Sequence, residues 1–139
     1  MNRSLRVGLG IIAFVAVAAG LAAAPPANQT ATQFYMAYRA AFDKAAKIDD
    51  IMPFMCADNR KQAEATPPAD RDKMFGMIKM MDAHTKIKVV REDRQPDGSV
   101  ELGVTAFDTD QKKDVTGKVS VVKEGGAWKL RKESWSSDS

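Results

Sequence analysis

The hydrophobic pattern of the chain is helical in its middle part. Between Thr30 and Ile48 the large apolar residues recur at the three- and four-residue spacing of a helix with one buried face; they are Phe34, Tyr35, Tyr38, Phe42 and Ile48. The opposite side carries mostly polar residues, which are Gln33, Arg39, Asp43, Lys44 and Lys47. Thr30 and Gln33 have the spacing of a capping box, so we expect the helix to begin there. The pattern predicts a long first helix whose apolar face needs a sheet to cover it.

Two shorter helices are predicted after the first one. Asp49 and Asp50 are suitable caps for a second helix with Pro53 in its first turn, and Asp70 is a suitable cap for a third that reaches about Ala83. Four of the eight methionines lie in the third helix, at Met74, Met77, Met80 and Met81. Flexible thioether side chains at this density are typical either of an adaptable binding groove or of filler in an irregular core.

From Thr85 onward the chain alternates between apolar and polar residues, which predicts strands. Turn sequences at residues 94–99 and at Gly125-Gly126 separate them, and four strands with short links imply an antiparallel meander. The positions expected to face inward are all apolar: Val100, Leu102, Val104, Ala106, Val115, Val119, Val121, Trp128 and Leu130. The predicted fold class is therefore α+β, with a long N-terminal helix and two shorter helices packed on a curved four-stranded antiparallel meander.

The outward face of the predicted sheet is polar with an excess of basic residues. It carries Lys86, Lys88, Glu101, Thr105, Lys118, Ser120, Lys129 and Arg131. Such a face either stays in solvent, where its charges keep the sheet edges from pairing, or meets anionic lipid or an acidic partner. Because Glu101 and Glu133 interrupt the basic residues, we favour the solvated interpretation.

Residues 1–24 have a composition of their own. Arg3 and Arg6 precede an uncharged apolar run from Val7 to Ala24, and the run ends in small residues, as in a secretory signal peptide. The run is 18 residues long, so an uncleaved membrane anchor is the alternative. Both interpretations predict a bacterial protein that is periplasmic or secreted, anchored to the inner membrane if the segment stays. We expect a single domain over residues 28–135, with any membrane contact made only through the N-terminal segment.

Charge and cysteine usage narrow the possible partners. Without its first 24 residues the formal charge falls from +3 to about +1, and the remaining charges are mixed in sign along the chain, so we expect no nucleic-acid partner. Cys56 is the only cysteine, which excludes an internal disulfide. Its apolar neighbours predict a buried thiol.

No pattern of catalytic or cofactor-binding residues is present. The sequence has no cluster of His, Cys or acidic residues at metal-ligand spacing, no Gly-rich phosphate loop and no nucleophile motif. Asp108, Asp110 and Asp114 lie in a predicted turn, and the only histidine, His84, lies at the joint between helix and sheet. Because the predicted inward face holds no acid, proton abstraction has no base. We therefore predict no catalytic residue, no metal and no cofactor.

Three segments in this order give the chain a resemblance to a known superfamily. They are Phe34-Tyr35-x-x-Tyr38, Ile51-x-Pro53-Phe54-Met55 and Glu124-Gly125-Gly126-Ala127-Trp128-Lys129-Leu130. The chain resembles the nuclear transport factor two-like superfamily, also called cystatin-like, and within it small exported bacterial proteins of unknown function. The resemblance implies a sheet that curls around the first helix and a pocket between the helices and the concave face. That superfamily includes ketosteroid isomerase-like enzymes and polyketide cyclases as well as binding and dimerising domains, so the fold does not select a function.

Three functional hypotheses follow. The first is an exported non-catalytic domain that binds a small hydrophobic ligand or a peptide, or that dimerises; its candidate pocket residues are Tyr35, Tyr38, Met77, Met81, His84 and Trp128. The second is an isomerase- or cyclase-like enzyme that uses Tyr38 and His84, which requires an acid or histidine inside the cone. The third is an interaction protein without a pocket, in which Trp128, Phe107 and the methionines fill the cone.

Overall fold

A computed structural model describes residues 28–136, and the predicted signal or anchor segment lies outside them. The helices are α1 (Ala31–Lys44), α2 (Ala57–Ala65) and α3 (Pro68–Met81), and the strands are β1 (His84–Arg94), β2 (Val100–Asp108), β3 (Lys113–Glu124) and β4 (Ala127–Ser136). The sheet is antiparallel with strand order β1-β2-β3-β4. The predicted α+β class and the four-stranded meander are therefore confirmed.

None of the helices in the described part of the chain is both long enough and apolar enough to cross a membrane.

Helix α1 begins where the capping box predicts. The Thr30 hydroxyl accepts a hydrogen bond from the backbone N–H of Gln33 at 3.1 Å, and the Gln33 side chain accepts one from the Thr30 N–H at 3.0 Å. These two bonds satisfy donors that the first turn of a helix leaves without partners.

The predicted length of α1 is wrong. The helix ends at Lys44 and not at Ile48, because Ala45 takes an extended conformation and Lys79 of α3 donates to the carbonyl oxygens of Asp43 (3.1 Å) and Ala45 (2.7 Å). Both α1 and α3 have 14 residues. The described part of the chain thus has two α-helices of equal length and a shorter one between them, instead of one long and two shorter helices.

The helix predicted to follow Asp49 and Asp50 does not form. Asp50 does not cap a following helix; its carboxylate accepts bonds from the backbone N–H groups of Ala46 (2.9 Å) and Lys47 (3.2 Å). Residues 48–54 form two single 3₁₀ turns, and α2 starts only after Cys56. The Cys56 N–H donates to the Leu130 carbonyl at 2.9 Å, which fastens this segment to the edge of β4. The Cys56 thiol is buried, as predicted.

The core lies between α1 and the inner face of the sheet. All nine strand positions expected to face inward are buried. Phe34 and Tyr35 of α1 are fully buried among them, and Trp128 belongs to the same core. Phe107 is half-buried beneath the ammonium group of Lys86, outside the core cluster. The prediction that Phe107 and the methionines of α3 fill the cone is therefore wrong, whereas Trp128 does lie in the core and Met55 packs against it.

A bulge in β4 changes which residues of that strand face inward. Leu130 pairs with Val121, whereas Ser120 pairs with Lys132, so β4 has one extra residue at this point. Beyond the bulge Glu133 lies opposite the buried Val119, and directly opposite residues share a face of the sheet. Simple alternation along β4 predicts that Glu133 faces outward and that no acid lies on the inner face. That prediction is wrong, because the extra residue reverses which side chains of β4 face inward beyond the bulge.

Candidate functional site

A cleft of about 320 Å³ lies where α1, the end of α3, the start of β1 and the far half of β4 meet. Five of its lining residues are apolar or aromatic, namely Tyr38, Phe42, Ile78, Met81 and Trp135. The other four are polar, namely Arg39, Asp82, His84 and Glu133. We call this feature the α1–β4 cleft.

Arg39 is the centre of the polar group. It is only 5% exposed, and its guanidinium binds Asp82 Oδ2 at 2.6 Å and Glu133 Oε1 at 3.0 Å. The same group lies over the Phe42 ring, 4.9 Å from its centroid. Burial alone would lower the pKa of Arg39, but the charges of Glu133 and Asp82 raise it above its usual value, so Arg39 stays charged. One cation thus links α1 to the α3–β1 joint and to β4.

His84 is held in place by two contacts. Its Nδ1 atom lies 2.8 Å from Asp82 Oδ1, and its ring stacks on Trp135 with centroids 4.2 Å apart. Trp135 in turn donates its indole N–H to Glu133 Oε1 at 2.9 Å. A proton on Nδ1 that is donated to Asp82 leaves Nε2 as the nitrogen with the lone pair. The imidazole is therefore oriented with a defined basic atom.

The two tyrosines of α1 have an acidic neighbour, Glu133, which the sequence pattern did not predict. Burial raises the pKa of Tyr35 far above its usual value, and the negative charge of Glu133 raises it further. The pKa of Tyr38 is raised by the same two effects, and burial is again the larger of them. Both phenols consequently remain neutral hydrogen-bonding groups at any physiological pH.

These pKa shifts predict the behaviour of the protein in alkali. Tyr35 and Tyr38 are the only tyrosines in the chain, so tyrosinate absorbance reports on them alone. Above pH ~10 the unfolded chain loses both phenolic protons while the folded chain keeps them, so the free energy of unfolding falls as pH rises. An alkaline titration should show no tyrosinate until circular dichroism reports unfolding. Tyrosinate that forms at pH ~10 with the fold intact would contradict the prediction.

The predicted pocket residues are only partly brought together. Tyr38, Met81 and His84 line the α1–β4 cleft. Tyr35 is sealed in the core, and Met77 lies on the exposed side of α3 outside the cleft. Trp128 is at the other end of α1, where its indole N–H donates to the Gln29 carbonyl at 2.9 Å. Six residues of the cleft were not predicted as pocket residues, and they are Arg39, Phe42, Ile78, Asp82, Glu133 and Trp135.

Helix α3 presents most of its apolar side chains to solvent. Phe75 is its only buried residue and meets the ring of Phe42 edge-on, with centroids 5.7 Å apart. The exposed apolar residues of the helix are Met74, Met77, Ile78, Met80 and Met81. We call these five residues the α3 apolar face; its members Ile78 and Met81 reach the cleft. Exposed apolar patches are common at the interaction surfaces of small domains, so this face is a candidate interaction surface.

No protein-family model, no curated protein and no solved structure matches this chain.

Proposed function

We propose that this chain is an exported, non-catalytic binding domain of the nuclear transport factor two-like superfamily. Its ligand is a small hydrophobic molecule that carries a hydrogen-bond donor. The observation that supports this proposal is the mixed lining of the α1–β4 cleft, which combines apolar side chains with the charged groups of Arg39, Asp82 and Glu133. A volume of about 320 Å³ falls within the range of small-molecule sites, which are mostly apolar with a few polar groups that fix orientation.

The charge of the cleft favours a ligand that donates hydrogen bonds. Asp82 and Glu133 contribute two negative charges and Arg39 one positive charge, which leaves an excess of one negative charge while His84 is neutral. An anionic head group would be repelled by that excess. The apolar part of the ligand would lie against Ile78 and Met81, where the cleft joins the α3 apolar face.

The same contacts argue against proton abstraction by either carboxylate. A catalytic base needs a pKa raised towards the working pH and a free position beside the substrate. Here Asp82 is bound by both Arg39 and His84, and Glu133 Oε1 is bound by both Arg39 and Trp135. Both oxygens of Asp82 and the Oε1 atom of Glu133 are thus occupied by partners within the protein.

A second candidate function rests on His84. Its contact with Asp82 at 2.8 Å orients the imidazole as a general base, and Tyr38 lines the same cleft. Tyr38 and His84 are the two residues that the hypothesis of an isomerase- or cyclase-like enzyme requires in one pocket. We rank it second because the apolar face beside the cleft is explained by binding and not by catalysis.

The test is a thermal-shift screen of the protein with a library of small hydrophobic amines, alcohols and acids. Any ligand of the folded state raises Tm, and we expect hits among the donors and none among the acids. Met81→Lys should abolish the shift, since it places a charge among the apolar lining residues of the cleft. Met80→Lys is the matched control, because Met80 is 87% exposed and lies outside the cleft.

Three other outcomes would change the assignment. A library without hits, together with a stable dimer that Met77→Lys disrupts, would replace the small ligand by a second copy of the chain. Binding of apolar peptides alone would replace it by a peptide. Turnover of a hit compound that His84→Gln abolishes would favour the enzyme.

A further inference from the structure

The α3 apolar face has a chemical property besides its hydrophobicity, because four of its five members are thioethers. Among the described residues no group of three or more His, Cys, Asp or Glu side chains is placed to hold a metal ion. Thioether sulfur is a different kind of ligand: it is soft and uncharged, and it prefers Cu(I) to Zn²⁺ or Mg²⁺. A metal site on this face must therefore be judged by its methionines.

Two of these methionines are neighbours on α3, and one of them lines the same cleft as the histidine. Met77 and Met81 are four residues apart in α3, so their side chains lie on the same side of the helix in neighbouring turns. Met81 and His84 line the same cleft. Met77 and Met81 are 57% and 75% exposed, so their sulfur atoms are accessible without any opening of the core.

His84 already has the support that metal-binding histidines usually have. Its Nδ1 atom contacts Asp82 at 2.8 Å, and Asp82 is in turn held by Arg39 at 2.6 Å. A carboxylate on one ring nitrogen fixes the tautomer and makes the other nitrogen a better metal ligand. Stacking on Trp135 fixes the plane of the ring. The observation is independent of the methionines and points to the same end of α3.

We infer that Met77, Met81 and Nε2 of His84 form a binding site for Cu(I). Two thioethers and one neutral imidazole add no negative charge, which suits a soft monovalent ion and disfavours hard divalent ones. The site is a binding site only, and no electron transfer is assigned to it. It goes beyond the hydrophobic ligand proposed above and does not depend on it.

The test is an anaerobic titration of the protein with Cu(I) against a competing Cu(I) chelator. We expect one tight equivalent, and no comparable binding of Zn²⁺. The double variant Met77→Leu/Met81→Leu should lower the Cu(I) affinity by more than ~10-fold, and His84→Gln should do the same, because even the loss of a supporting group costs about that much. Titration with Ag(I), which mimics Cu(I), should shift the methyl resonances of Met77 and Met81 in NMR spectra.

The matched control is Met74→Leu/Met80→Leu. It removes the same number of exposed thioethers from the same helix and should leave Cu(I) affinity within about twofold. An equal loss in both double variants would show unselective binding to methionine and would overturn the site. Loss only in Cys56→Ser would assign the metal to the thiol and would also overturn it. Leucine keeps the face apolar, so a hydrophobic ligand should still bind the variant Met77→Leu/Met81→Leu. The proposal of a hydrophobic ligand and the proposal of a Cu(I) site can therefore fail separately.

Discussion

Replacing Arg39 with methionine is expected to lower the free energy of unfolding by about 3–5 kcal/mol. Arg39 is 5% exposed and neutralises Asp82 and Glu133, whose side chains are both only 15% exposed. Methionine retains much of the length of the side chain but removes the guanidinium. The variant would leave two carboxylates close together and away from water without their cation. Urea denaturation followed by circular dichroism measures the loss.

The control for this prediction is Arg91→Met. Arg91 forms a 2.6 Å pair with Asp93, but the two side chains are 56% and 46% exposed. Exposed pairs of this kind contribute about 0–1 kcal/mol, so this variant should be nearly as stable as the parent. Adding Asp82→Asn and Glu133→Gln to Arg39→Met should restore part of the lost stability, since no charge then remains without a partner. Equal losses from the Arg39 and Arg91 variants would show that the buried cluster does not behave as an ion-pair network.

Replacing Phe75 with alanine is the second change with a large expected effect, about 3–5 kcal/mol. Phe75 is the only buried residue of α3, and its ring meets Phe42 edge-on. Removing the ring leaves a cavity at the one place where the helix is anchored by an apolar side chain. We expect α3 to open locally, because its other described attachments include the exposed hydrogen bond from Lys79 to Asp43.

Hydrogen exchange resolves this local opening from global unfolding. Amides of α3 should lose protection in Phe75→Ala while those of β2 and β3 keep it. Met80→Ala, which removes an exposed side chain of the same helix, should leave the exchange of α3 unchanged. Protection of α3 at the parental level in Phe75→Ala would contradict the anchoring role of Phe75. Because α3 forms one side of the α1–β4 cleft, loss of the ligand-induced Tm shift should accompany its opening.

The local signals of the sequence predicted local features well. Alternation placed every one of the nine inward strand residues correctly, because a side chain in a strand points to one face or the other and the buried face excludes polar groups. The Thr30–Gln33 box gave the start of α1, since capping depends only on neighbouring residues. The predicted end of α1 and the predicted helix after Asp50 were wrong, because contacts distant in sequence determine the conformation of both segments. Lys79 meets the last carbonyls of α1, and Leu130 meets the segment before α2.

The candidate site was predicted only in part, and Arg39 and Glu133 show why. The helical repeat placed Arg39 on the polar side of α1, where an arginine normally lies in solvent. In the folded chain Asp82 and Glu133 arrive from two other elements and make its burial favourable. Alternation placed Glu133 on the outer face, and one extra residue in β4 moved it inside. Neither the position of Arg39 in the helical repeat nor that of Glu133 in the strand indicates that the two side chains form an ion pair.

By itself the sequence determined the α+β class, the four-stranded meander and the inner face of the sheet, because hydrophobic period and turn chemistry act over a few residues. Only the tertiary structure shows that Phe75 anchors α3 and that the methionines of this helix lie in solvent. Only the tertiary structure shows that a β-bulge places Glu133 next to Arg39, in the same cleft as Asp82 and His84. The same spacing of methionines occurs in helices that are buried and in helices that are exposed. Whether such methionines are buried depends on how the neighbouring elements pack against the helix.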